Sequence, residues 1–128
     1  ACGIGLEVRD VVTYMSPMIL IEEFLADDGS SPFGEWFDDL DPQAAAIVTV
    51  ALARLADGNT SKVEPIGDGA SELKINRGPG YRIYFGWDGK ALVILLGGGT
   101  KRRQSADIAE ALAFWRDYKA RKAKAKKG

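Results

Sequence analysis

The stretch Ser71-Glu72-Leu73-Lys74-Ile75-Asn76-Arg77-Gly78-Pro79-Gly80-Tyr81-Arg82-Ile83-Tyr84-Phe85 decides the fold. Glu72, Lys74 and Asn76 alternate with Leu73 and Ile75, the period of a strand with one apolar face. Arg77-Gly78-Pro79-Gly80 reads as a turn, and Tyr81 to Trp87 as the returning strand. Asp88-Gly89 is a two-residue hairpin signal. Beyond it, Ala91 to Leu96 is the continuous apolar run of a central strand buried on both faces. The three strands form an antiparallel meander.

Register follows from burial. A two-residue loop at Asp88-Gly89 sets Trp87 against Lys90, Phe85 against Leu92, Ile83 against Ile94 and Tyr81 against Leu96, so one sheet face is apolar. In the first hairpin, a four-residue loop would put Lys74 opposite Ile83 on the buried face. A five-residue connection instead opposes Asn76 to Arg82 and Lys74 to Tyr84, and spares the core an unpaired charge. The second register is the one expected.

Upstream, Met18 to Leu25 reads as a strand ended by the turn residues Asp27-Asp28-Gly29-Ser30. Ser31-Pro32 is an N-cap followed by proline at the first helical position, and Phe33, Trp36, Phe37 and Leu40 recur at helical spacing. Asp41-Pro42 repeats the signal for a second helix, with Ala44, Ile47, Val48, Ala51, Leu52 and Leu55 as its stripe and Gly58-Asn59 as its stop. Downstream, Gly97-Gly98-Gly99 reads as a break before a last helix from Ser105 to about Ala123, with Ile108, Leu112 and Trp115 inward. The expected class is α+β: an N-terminal strand, a helical hairpin, an antiparallel meander sheet and a C-terminal helix. Residues 18–123 are expected to form the domain, 1–17 an extension and 124–128 a basic tail.

The chain has 128 residues with 17 Lys+Arg and 18 Asp+Glu, a net charge of −1. The halves differ: residues 1–64 carry 3 basic and 12 acidic side chains, and residues 65–128 carry 14 and 6. A basic side of this kind suits an anionic partner. Histidine is absent, which excludes Ser-His-Asp and Cys-His catalysis and His-based metal sites. Cys2 is the single cysteine, so no intramolecular disulfide or thiolate cluster forms. The apolar runs are too short to cross a bilayer, and Glu7, Arg9 and Asp10 interrupt any signal sequence. A cytoplasmic protein with no membrane association is expected.

The chosen register collects Glu72, Lys74, Asn76, Arg82 and Tyr84 on one side of the sheet, with Lys101, Arg102, Arg103 and Gln104 emerging near Arg82. Cations that stabilise a phosphorane, beside a carboxylate or lysine that moves the 2′-hydroxyl proton, are suitable parts for cleaving an RNA phosphodiester. The same residues also suit a solvated sheet face laced with cross-strand ion pairs.

The quoted stretch, followed by Leu95-Leu96-Gly97-Gly98-Gly99-Thr100-Lys101 and Gln104-Ser105-Ala106-Asp107-Ile108, closely resembles the RelE/ParE toxin superfamily, in particular the HigB-like addiction module killer proteins. Asp28 to Phe33, Trp36-Phe37, Leu40 and Leu55 to Asn59 also look like that branch, and the likeness runs from about Met18 to Lys119. The resemblance implies the toxin of a type II toxin-antitoxin system, a metal- and cofactor-independent endoribonuclease acting on mRNA at the ribosome. It further implies a cognate helix-turn-helix antitoxin, with operator DNA bound only through the complex. Arg82 matches the arginine of the G-Y-R motif, Lys74 the basic strand position, Lys101 and Gln104 the G-G-D-K-x-x-Q segment, and Glu72 the strand carboxylate. Arg82, Lys74, Lys101 and Glu72 are the expected catalytic residues. Asn76, Tyr84, Arg102, Arg103 and Gln104 are the expected RNA contacts.

Thr100 stands where the branch usually has Asp, and Arg102-Arg103 where it has smaller polar residues. Two other readings stay open: a ParE-like toxin that inhibits DNA gyrase by binding, and a degenerate toxin without catalysis. Gly97 to Lys101 lacks the spacing of a phosphate loop. Trp36 and Trp115 read as core, and Trp87 as packing beside the hairpin turn.

Overall fold

The computed structural model describes residues 18–127. The extension expected over residues 1–17 lies outside the described residues. The chain runs β1 (Leu20–Glu23), α1 (Pro32–Asp38), α2 (Pro42–Ala56), β2 (Val63–Gly67), β3 (Ala70–Ile75), β4 (Tyr81–Trp87), β5 (Leu92–Thr100), a short 3-10 turn (Lys101–Arg103) and α3 (Gln104–Lys127). The five strands lie in the order β1-β5-β4-β3-β2. β1 is parallel to β5 and the other neighbours are antiparallel. The α+β plan is the one expected from the sequence.

Both helix starts follow their signals. Ser31 Oγ accepts from the Gly34 N–H at 2.9 Å and Asp41 Oδ1 from the Ala44 N–H at 2.9 Å, each satisfying a first-turn donor. α2 stops where Gly58 takes φ +95°: its N–H donates to Leu55 O at 2.9 Å and the Asn59 N–H donates to Arg54 O at 3.0 Å. These paired bonds form a Schellman close, and a residue with a Cβ adopts that φ only with strain.

Four expectations are corrected. β2 has no counterpart in the sequence reading, because Pro65 and Gly67 interrupt its alternation; as the edge strand it tolerates a proline that donates nothing. The first hairpin pairs Ile75 with Tyr81, Lys74 with Arg82 and Glu72 with Tyr84. The five-residue connection therefore spans residues 76–80, and the pairing slides by two residues while each side chain keeps its face. In the second hairpin the Asp88 N–H donates to Leu92 O at 2.9 Å, so the loop is longer than two residues. Phe85 consequently faces Leu95 and Trp87 faces Val93. Finally, Gly97 to Gly99 continue β5 opposite Tyr84, Ile83 and Arg82, with a register shift between Tyr84 and Phe85, so the glycines are strand and not a break.

The corrected register produces two cores. Ile83, Phe85, Val93, Leu95, Leu73 and Ile75 pack against Phe33 of α1 and Val48 and Leu55 of α2. Tyr84, Ile94, Leu96 and Ala70 pack against Ala111 and Trp115 of α3. β5 is buried on both faces from Val93 to Leu96, as its apolar run required. Glycines make two of the closest approaches: a Cβ at Gly98 would lie 2.2 Å from Trp36, and one at Gly86 would lie 2.3 Å from Trp115. Trp115 is 3% exposed, as its helical spacing indicated, and Trp87 packs edge-on against Phe85. α3 begins one residue before and ends four residues after its expected limits.

The face expected to form an open concave surface is therefore covered by α3. Glu72, Arg82 and Tyr84 are 4%, 5% and 1% exposed. A polar alternation cannot distinguish solvent from a buried polar layer beneath a helix.

Candidate functional site

β3, β4 and β5 place two rows of residues beneath the start of α3. One row runs Lys74, Arg82, Gly99; the other runs Glu72, Tyr84, Gly97. The missing Cβ at Gly99 makes room for Asp107, whose Oδ2 would lie 2.0 Å from it. The first turn of α3 thereby brings Gln104 and Asp107 down onto the row of charged strand residues.

Glu72 is fixed by Gln104, whose Nε2 donates to Oε1 at 2.8 Å and Oε2 at 3.0 Å. This charge-assisted bond compensates a carboxylate withdrawn from water. Lys74 faces the like charge of Arg82 across the strands but is turned toward Glu64 on β2, with which it forms an ion pair. That pairing offsets the repulsion expected of directly opposed cations.

Arg82 is held differently. Its Nη1 donates to Tyr81 O at 3.1 Å, while its buried Nε has no hydrogen-bond partner among the described residues. Among the described residues no carboxylate comes within 4.0 Å of its guanidinium. A buried cation in this state is costly, because its Nε gives up hydration without a partner in exchange. Gly80 sits at its outer edge: a Cβ there would be 3.5 Å from Arg82 Nη1 and 3.3 Å from Lys101 Cβ. Lys101 is tied to the same turn, its N–H donating to Gly80 O at 2.8 Å. The exposed Lys101, Arg102 and Arg103 thus stand as a cationic rim beside the buried arginine.

The electrostatics match this packing. Burial, then the negative charges of Glu72 and Asp107, push the Tyr84 hydroxyl far above the ordinary tyrosine range, while Arg82 pulls it down. Tyr84 Oη is buried with no hydrogen-bond partner. Burial raises Asp107 above its usual value, with Arg103 acting in the opposite direction.

The structure brings together Glu72, Arg82, Tyr84 and Gln104, puts Lys101, Arg102 and Arg103 on the rim, and leaves Asn76 exposed past the end of β3. The sequence reading missed Asp107: the acid in the first turn of α3 was visible, but the glycine opposite Arg82 was not, because the expected register sets Leu95 there. No group of three or more His, Cys, Asp or Glu side chains among the described residues is arranged to hold a metal ion. No helix among them is long and apolar enough to cross a membrane.

Residues 35–124, which carry α2 to α3 and this whole cluster, match the family described as phage-derived protein Gp49-like (DUF891). The chain belongs to that family. It is also similar to an uncharacterized protein of Haemophilus influenzae, 39% identical over 80 residues, covering 62% of this chain and 81% of the relative. Membership of the Gp49-like family is compatible with a toxin of a toxin-antitoxin system and with an antitoxin as partner. Neither match carries a RelE or HigB name.

Proposed function

We propose that the protein is the toxin of a type II toxin-antitoxin system and cleaves mRNA at the ribosome without a metal, under the control of a cognate helix-turn-helix antitoxin. The observation that carries the reading is Arg82: a buried guanidinium with no carboxylate of the described residues within 4.0 Å, beside a rim of three exposed cations. An RNA phosphate seated over Gly80 is contacted by Lys101 and by the Nη edge of Arg82. The ribose 2′-oxygen bonds to phosphorus, the bond to the 5′-oxygen breaks, and the products are a 2′,3′-cyclic phosphate and a 5′-hydroxyl. The 2′-hydroxyl proton leaves as that bond forms, and the 5′-oxygen takes up a proton. Arg82 and Lys101 stabilise the charge that builds on the phosphorane. Asp107, raised by burial and only loosely paired with Arg103 at 4.0 Å, is the carboxyl assigned to carry a proton. Glu72 and Gln104 act on each other, so their role is to position the sheet against α3.

One observation favours a toxin that binds without cutting, as a gyrase inhibitor does: Glu72 is locked by Gln104 and Lys74 by Glu64, which leaves neither free to move a proton. Induction in cells separates the readings. Mapping of mRNA 5′ ends shows new cleavage sites if the protein is a ribonuclease, and a DNA-damage response with intact mRNA if it is a gyrase toxin. Arg82→Lys, and the exposed triple substitution of Lys101, Arg102 and Arg103 by alanine, should each abolish cleavage with the circular dichroism spectrum unchanged. Cleavage at the wild-type rate in both variants rejects the assignment.

A further inference from the structure

Two adjoining hollows of about 270 and 280 Å³ run between α2 and the end of β3; of the residues in the Arg82 row, Lys74 alone lines one of them. They share Ala51, Arg54, Ile75 and Arg77. None of the residues lining either is an Asp or Glu. Residues 1–64 hold only 3 basic side chains against 12 acidic, and two of the three, Arg54 and Lys62, lie here. Together with Arg77 they make three cations that are in no ion pair among the described residues; the fourth cation of the lining, Lys74, is paired with Glu64. The lining itself thus carries an excess of cations, with the Glu64 carboxylate reaching it only through Lys74.

The floor is apolar. Ala51, Leu73 and Ile75 lie along it, and Val50 on its lip is 49% exposed. α2 lines the hollows from Ala46 to Arg54, a rise of about 12 Å or roughly two turns of a helix. We propose that this furrow docks an amphipathic, acidic helix of a protein partner, its apolar stripe on the floor and its carboxylates toward Arg54, Lys62 and Arg77. Helix-in-groove recognition needs such an apolar seat. A nucleic acid would need a denser row of cations, and the exposed Lys101, Arg102 and Arg103 line neither hollow. In the toxin reading the partner is the antitoxin, but the chemistry of the furrow does not rest on that reading.

The test uses the full chain and three labelled probes read by fluorescence anisotropy: a synthetic helical peptide of leucine and glutamate about 14 residues long, whose middle two turns cover the furrow, the same peptide with lysine for glutamate, and oligo(U) RNA. The glutamate peptide should bind and the lysine peptide should not. Arg54→Ala with Arg77→Ala should weaken glutamate-peptide binding by about tenfold, and the lysine pair Arg54→Lys with Arg77→Lys should restore most of it. Val50→Asp should weaken the peptide and leave oligo(U) unchanged. Circular dichroism establishes that each variant is folded. Equal binding of the two peptides, equal affinity in the alanine pair, or loss of oligo(U) and not of peptide overturns the proposal. Because the readout is binding, it stands or fails separately from any toxicity or mRNA cleavage.

Discussion

Gly86→Ala tests the packing that holds α3 over the sheet. A Cβ at residue 86 would lie 2.3, 2.4 and 2.5 Å from Cε3, Cζ3 and Cδ2 of Trp115, far inside contact distance. The indole cannot step aside freely. Its Nε1 donates to Asp68 O at 2.7 Å, its ring stacks on Tyr118 with centroids 5.3 Å apart, and Lys119 Nζ sits 5.4 Å from its centroid. Overpacking of this kind costs about 1–3 kcal/mol, and losing the indole hydrogen bond adds about 1 kcal/mol. A loss of about 2–4 kcal/mol is expected, and at about 4 °C per kcal/mol for a domain near this size Tm should fall by about 8–16 °C. Gly89→Ala is the control: nothing lies within 4 Å of its Cβ, and only the φ of +80° is strained, at about 1 kcal/mol. Thermal melts of the two variants, and of Gly86→Ala combined with Trp115→Leu, decide the matter. The double variant should lose much less than the sum of the singles, because both changes act on one contact. A Gly86→Ala protein that melts within about 2 °C of wild type would refute the placement of Trp115 on β4.

Gln104→Leu strips the Glu72 carboxylate of both its hydrogen bonds and should cost about 1.5–3 kcal/mol, measured by urea denaturation; Glu72→Leu added to it should recover part of the loss, and additive losses would show that the pair does not interact. The stability of the α3 clasp on the β4–β5 turn should fall off at both ends of the pH scale. Asp88 is held below its ordinary 3.8 by hydrogen bonds from Lys122 and from the Tyr118 hydroxyl, so its contribution is complete above about pH 4 and is lost as pH falls through the lowered value. Tyr118 is pushed from 10.0 up to about 12 by burial and by Asp88, so its contribution is complete below pH 10 and is lost between about pH 10 and 12. Tyr118→Phe should remove the alkaline limb and shift Asp88 back toward 3.8, read by Tm against pH and by NMR titration of the carboxyl; an unchanged alkaline limb would assign it to another group.

Local signals carried the helical hairpin because each was complete in a few residues: Ser31-Pro32 and Asp41-Pro42 supply their own caps, and Gly58-Asn59 its own stop. The sheet depended on partners far along the chain. Its faces were legible from Leu73 and Ile75 against Glu72 and Lys74, and sliding the first hairpin by two residues left those faces intact. The second hairpin was misjudged because Asp88-Gly89 satisfies a tight turn locally, whereas burial of Phe85 against Val93 and Leu95 demands a longer loop. Gly97 to Gly99 read as a break by composition alone; their value lies in the Trp36 and Asp107 side chains that occupy the space above Gly98 and Gly99, which no local pattern reveals.

The same limit governs the site. Glu72, Arg82, Tyr84 and Gln104 were all named from the chain, and they do meet, but their burial was hidden because a polar residue on an alternating strand looks alike beneath water and beneath a helix. That difference sets the chemistry. In water an arginine is one more surface cation, compensated by solvent; under α3, Arg82 has a buried Nε with no partner and no carboxylate within 4.0 Å among the described residues, and the proposed function places an anion at its Gly80 edge. The charge asymmetry of the sequence therefore resolves into two separate surfaces: the cations of residues 65–128 gather around Arg82 and the post-strand turn, while Arg54 and Lys62, rare in an acidic half, join Arg77 between α2 and the end of β3. In place of the single basic side that the charge asymmetry suggests, the fold carries two faces of different character, one polar and rimmed by Lys101, Arg102 and Arg103, the other floored by Ala51, Leu73 and Ile75, and it is this separation that lets the two proposals be tested independently.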